Sequence, residues 1–125
     1  MKVHLAAALL AFVAAPASAQ SMNADEFYKR ATALQKKAPL ALFSRGEIKT
    51  LMQEGQASGR KARELRLADV KAGKKPRYCP PEGPQSMKSD EFMKRLGAIP
   101  PAERSRIDMT EATTRILAAR FPCPA

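Results

Sequence analysis

The stretch SRGEIKTLMQEGQASGRKARELRLADVKAG, residues 44–73, decides the fold. Ile48, Leu51, Met52, Ala62, Leu65 and Ala68 recur at the spacing of one helix face. Ser44 followed by Glu47 matches a capping box at the N-terminal end. Gly73 is placed to cap the other end in a left-handed conformation. The pattern predicts one long helical segment from Arg45 to about Lys71. Gly55, Ala57, Ser58 and Gly59 sit in its middle. Small residues let a neighbouring helix approach, yet each glycine costs about 1 kcal/mol against alanine. A break or bend between Gly55 and Gly59 is therefore the competing expectation.

On the N-terminal side, Asn23 with Glu26 repeats the capping pattern, and Phe27, Ala31, Leu34 and Ala38 share a face. A helix is predicted from Ala24 to about Lys37, ended by Pro39 and followed by an apolar connector, Leu40 to Phe43. On the C-terminal side, a loop runs through Gln85. A third helix is predicted over Met87–Leu96, with Ser86 or Ser89 near its start, Phe92, Met93 and Leu96 inward, and Gly97 as its stop. Ile99-Pro100-Pro101 forces an extended turn. Met109, Ala112, Thr113, Ile116 and Leu117 mark a last helix from about Thr110 to Arg120. β-Branched residues are few and scattered, so strands are not expected. The fold class is all-α: a small bundle of about four helices around one core.

The chain begins with Lys2, an apolar run from Leu5 to Ala15, a helix-breaking Pro16 and the small residues Ala17-Ser18-Ala19. That order is a secretory signal peptide, residues 1–19, cut before Gln20. The apolar run is shorter than the about 20 residues that span a membrane, so no stable membrane anchor is expected. The remaining residues, 20–125, are the size of a single domain. The expected location is the periplasm, where disulfides persist. Cys79 and Cys123 are the only cysteines, and an even count in an exported chain predicts one disulfide.

His4 is the only histidine and leaves with the leader. A Ser-His-Asp triad, a Cys-His pair and most catalytic zinc sites then lack their imidazole. The two cysteines are too far apart for a Cys-x-x-Cys redox site, and no glycine-rich phosphate loop is present. Asp25-Glu26 and Asp90-Glu91 are carboxylate pairs, but each lies in the first turn of a predicted helix, where acid complements the helix dipole. The expectation is a protein that is not an enzyme and needs no cofactor or metal.

The full chain carries 22 Lys and Arg against 12 Asp and Glu. Much of the excess lies in Arg60, Lys61, Arg63, Arg66, Lys71, Lys74, Lys75 and Arg77. An exported chain rarely meets nucleic acid, and no aromatic residue interleaves these charges, so nucleic acid is not the expected partner. The run is either a solvated helix face or a docking surface for an acidic partner. It leads into the stiff sequence Tyr78-Cys79-Pro80-Pro81-Glu82-Gly83-Pro84, in which proline restricts and glycine frees the backbone. Stiff exposed loops lose little entropy on binding. Lys74, Lys75, Arg77, Tyr78, Pro80, Pro81 and Glu82 are therefore the candidate partner-binding residues. The competing expectation is a tied-down crossover, with Tyr78 packed on the last helix.

Cys79-Pro80-Pro81-Glu82-Gly83 is a Cys-x-Pro-x-Gly turn, followed by a helix, a proline-marked break and a last helix ending in Phe121-Pro122-Cys123. From Tyr78 to Cys123 the chain resembles the Rap/Tai family, exported immunity proteins that neutralise peptidoglycan amidase effectors of type VI secretion. Its first half departs from that pattern. Phe43-Ser44-Arg45-Gly46-Glu47-Ile48 lacks the additional cysteine and the Gly-aromatic pair common in the family, and the heavy basic charge is also unlike it. The resemblance implies a periplasmic inhibitor that blocks a cell-wall amidase by occlusion, with a homodimer left open. The alternatives are an envelope accessory protein that binds an anionic polymer or membrane surface through its basic helix, and an unrecognised hydrolase.

Overall fold

The computed structural model of the chain describes residues 21–37 and 44–125. Its helices are α1 Ala24–Lys36, α2 Arg45–Lys71, α3 Ser89–Ala98, α4 Pro101–Arg104 and α5 Met109–Arg120, with no strand among the described residues. The all-α class and the disulfide agree with the sequence. Four full helices match the expected bundle of about four, and the fifth is the single turn α4. Ile99 and Pro100 are extended, as the prolines require, but Pro101 then opens the one-turn α4. A proline is favoured there because the first helical N–H has no intrahelical partner. The expected leader (residues 1–19), Ala38, the helix-ending Pro39 and the connector from Leu40 to Phe43 lie outside the described residues.

Asn23 caps α1 through Oδ1, which accepts from the N–H groups of Asp25 (2.9 Å) and Glu26 (3.1 Å). Its Nδ2 donates to the Ser105 carbonyl, so one side chain both starts α1 and ties it to the segment after α4. Around it, Ala24 N–H donates to Ile107 O and Met109 N–H to Met22 O. Asp108 caps α5 by accepting from Glu111 N–H. The entrances of α1 and α5 are thus stitched side by side.

Ser44 makes no side-chain cap on α2, and the Glu47 carboxylate instead pairs with Arg30 on α1. The capping box expected there does not form. Gly73 does cap the far end: with φ +71° it lets its own N–H reach Val70 O and Lys74 N–H reach Asp69 O. Those two bonds are the Schellman pattern.

The expected bend at Gly55–Gly59 is absent, and α2 runs unbroken through it. The buried contact in this stretch comes from Ser58, whose hydroxyl meets Thr113 of α5 at 3.0 Å and donates to Gly55 O. About one turn earlier, Ser21 links Glu54 with Thr110. The two helices therefore run in the same direction. No atom of another element lies within 4 Å of a Cβ built on Gly55 or Gly59. Gly55→Ala and Gly59→Ala are each expected to raise stability by about 0.5–1 kcal/mol, through helix propensity and a less flexible unfolded chain. Urea denaturation measures this, and a loss of stability would mean that the neighbouring space is already filled.

The core is Ala24 and Phe27 of α1, Leu51 of α2, Leu96 of α3, and Met109, Ala112 and Ile116 of α5. Phe27 and Phe92 meet edge to face at 6.3 Å. Of the apolar marks on α2, Leu51 and Ala62 are buried, whereas Met52, Leu65 and Ala68 are exposed. The third helix starts at Ser89 and continues through Gly97, which is not its stop. Gly97 is needed for close approach: a Cβ there would lie 2.9 Å from the hydroxyl of Tyr28. The Tyr28 ring also carries the Arg104 guanidinium, 4.0 Å from its centroid.

Candidate interaction surface

The segment after α2 folds back to the end of α5. Cys79 N–H donates to Phe121 O at 2.8 Å, and Cys79 is joined to Cys123. Seven residues on, Arg120 of α5 donates to Ser86 O at 3.0 Å. The loop between these points, Pro80 to Gln85, is therefore held at both ends by the last turn of α5. Pro80 and Pro81 restrict its first half, and Gly83, with φ +90°, supplies the reversal. Pro80 is half-buried, while Pro81 and Glu82 are exposed at the tip.

The candidate binding residues do not all reach the surface. Lys74 and Lys75 are exposed, and among the described residues no carboxylate pairs with them. Arg77 turns towards α5 and clamps Glu111 with both terminal nitrogens. Tyr78 is only 4% exposed, with Arg66 stacked on its ring at 5.3 Å. Tyr78 is therefore packing, not a contact residue, and its place as an exposed anchor is corrected. The cause is the disulfide next to it: pinning Cys79 on α5 draws the preceding ring under α2.

Upstream, Arg60, Lys61, Arg63 and Lys71 are exposed, and none has an acidic partner among the described residues. Leu65, Leu67 and Val70 stand exposed among them. The ridge is cationic with apolar interruptions.

Among the described residues five carboxylates pair across elements: Asp25 with Arg104, Glu47 with Arg30, Glu111 with Arg77, Glu103 with Arg115 and Glu91 with Arg120. The first three of them are held below their ordinary range. Hydrogen bonds from Lys29 and Arg104 hold Asp25 below its ordinary 3.8. The Arg30 guanidinium does the same to Glu47, and Arg77 with Arg115 to Glu111, both from an ordinary 4.5. A carboxylate depressed on folding contributes stability above its unfolded value and loses it as pH falls through the folded one. The melting temperature is expected to be flat from neutral pH to about 5 and to fall below about 4. A thermal melt series in pH checks this, and a protein equally stable at pH 2 would contradict it.

A second feature adjoins the loop. Gln85 and Met87 lie at the edge of an apolar groove of about 700 Å³ between α1, α2 and α3. Phe27, Leu51 and Ile116 form its floor. Ala31 and Leu34 of α1 make one wall and Phe92 and Met93 of α3 another, while Ile48, Met52, Gly55 and Gly59 of α2 run along its length. Among the described residues no acidic or basic side chain lines it. Such volume and chemistry fit a binding groove. Its traces in the sequence are slight: Met52 beside the core stripe, and two glycines four apart. Four helices must meet before those residues share a wall.

Among the described residues no group of three His, Cys, Asp or Glu is placed to hold a metal ion, and no helix is long and apolar enough to cross a membrane. No protein-family model matches the chain, and no curated protein or solved structure is significantly similar to it.

Proposed function

We propose that the protein is a periplasmic immunity-type binding protein that inhibits a peptidoglycan amidase effector of type VI secretion by covering its active site. The observation that carries this reading is the loop Pro80–Gln85, fixed to α5 at both ends. A surface already held in its bound shape loses little entropy on docking, and inhibition by occlusion asks for nothing else. The two cysteines that carry the Rap/Tai resemblance are also the pair that fixes the loop. Lys74, Lys75 and the exposed cations of α2 add a field that speeds encounter with an acidic partner.

The test is hydrolysis of peptidoglycan by an amidase effector of the same bacterium, with and without this protein. Inhibition that is complete near equimolar protein supports the reading; full amidase activity at excess protein overturns it. Reversing Lys74 and Lys75 together should slow association by roughly tenfold at low salt and less at high salt. Pro81→Gly with Glu82→Ala should speed dissociation.

One observation favours the alternative of an envelope accessory protein. Leu65, Leu67 and Val70 are exposed among unpaired cations, a composition that also suits an anionic membrane surface. Strong, salt-sensitive binding to vesicles containing anionic lipid, with no one-to-one protein partner, would select it.

A further inference from the structure

We propose that the groove between α1, α2 and α3 receives an apolar helical segment with acidic ends, contributed by the protein partner. This deepens the inhibitor reading and rests on it. The described residues that line the groove are all uncharged, so the occupant must meet it with apolar side chains. Ile48 to Gly59 on α2 sets its length, about 17 Å, or three turns of a partner helix. Gly55 and Gly59 leave the α2 backbone uncovered, with nothing within 4 Å of their would-be Cβ positions. A second helix can come closer there than any side chain would permit.

The charges at the two ends select the occupant. Residues three and four apart share a helix face, so the stripe that carries Ile48 and Gly59 continues to Arg45 before it and Arg63 after it. Both are exposed, and neither pairs with a carboxylate among the described residues. Lys88 is likewise exposed beside Met87 at the edge. A helix with Glu or Asp at its ends meets cations at both ends of the groove. A second copy of this chain is disfavoured, since with net charge +10 it brings like charge to the same rim. Met52, Met87 and Met93 give the lining the unbranched, polarisable side chains that adapt to another surface.

The experiment uses the purified protein and three synthetic peptides of about four helical turns. One carries Leu at i, i+3, i+4 and i+7 with Glu at both ends; one has Lys in place of Glu; one has the first composition in scrambled order. Anisotropy should show binding of the Glu-ended peptide and at least roughly tenfold weaker binding of the other two. Gly59→Leu and Met52→Glu should each weaken the Glu-ended peptide by roughly tenfold or more. Both variants should keep the native circular dichroism and melt no lower than the native protein, because Gly59 has open space and Met52 is 60% exposed. Equal binding of the Glu- and Lys-ended peptides, no binding at about 1 mM, or unchanged binding by both variants overturns the proposal. So does a homodimer that Gly59→Leu dissolves, since the occupant is then a second copy. The amidase assay separates the two levels. If the amidase is inhibited equally by both variants, the groove proposal fails and the inhibitor reading stands. If the peptide binds as expected and the amidase is ignored, the inhibitor reading fails.

Discussion

Serine at both position 79 and position 123 is expected to destabilise the protein by about 2–5 kcal/mol. The bridge joins residues 44 apart, and closing a loop of that length restricts the unfolded chain by roughly 4 kcal/mol in the chain-entropy model. A domain of this size buries only about two-thirds of its unfolded surface, so the loss is a large share of its stability. The damage should be uneven. The loop Pro80–Gln85 would keep only the Cys79–Phe121 and Arg120–Ser86 hydrogen bonds. Tyr78 would lose the restraint that keeps it under Arg66. The entrances of α1 and α5 lie at the other end and are stitched independently. Thermal melts with and without reductant, and of the double serine variant, measure the effect. An unchanged midpoint would mean that the bridge is ornamental.

Arg104→Ala is expected to cost about 3 kcal/mol, although Arg104 is none of the candidate contact residues. Its side chain is buried and serves four groups at once. Nε donates to Asp25 at 2.9 Å, Nη1 donates to Ile99 O at 3.0 Å and Gly97 O at 3.4 Å, and the plane stacks on Tyr28. Removing it leaves the Asp25 carboxylate and two part-buried carbonyls short of a donor and uncovers the Tyr28 ring that packs on Gly97. Arg104→Lys should recover less than half of the loss, since a point donor cannot replace a planar fork. Urea denaturation of the two variants tests the ranking. Equal stability of the lysine variant and the native protein would show that charge alone matters at this junction.

Local rules were legible where one residue's own chemistry decides the outcome. Asn23 starts α1 by accepting backbone N–H groups, and Gly73 ends α2 by adopting positive φ. Both are readable because the cap and its partners are neighbours in sequence. Ser44 makes no cap, and the carboxylate of its expected partner Glu47 goes to a distant residue, Arg30. Gly97 reads as a helix stop until Tyr28, from another helix, is placed against it. Arg104, in a proline-rich turn between helices, looks like one more surface cation in a basic chain. Only the packing of α1 against α3 and α4 makes it a buried hub. For the candidate surface, the stiff loop and its cysteines were visible, and Tyr78 was misplaced. An aromatic residue beside a pinned cysteine can point either way, and local sequence does not choose. The groove left almost no trace, because its walls come from segments joined only in the finished fold.

The stitching of α1 to the entrance of α5 bears on how quickly the chain reaches its native state. Helical proteins usually fold fast because their contacts are local. Here Asp25 finds Arg104 across 79 residues, and Ser58 finds Thr113 across 55. Those pairings raise the contact order above that of a simple up-and-down bundle. An oxidised bridge between Cys79 and Cys123 shortens the chain path from α2 to α5. Refolding with the bridge already formed should therefore outpace refolding of the reduced chain, which makes the order of oxidation and collapse the slow choice on this pathway.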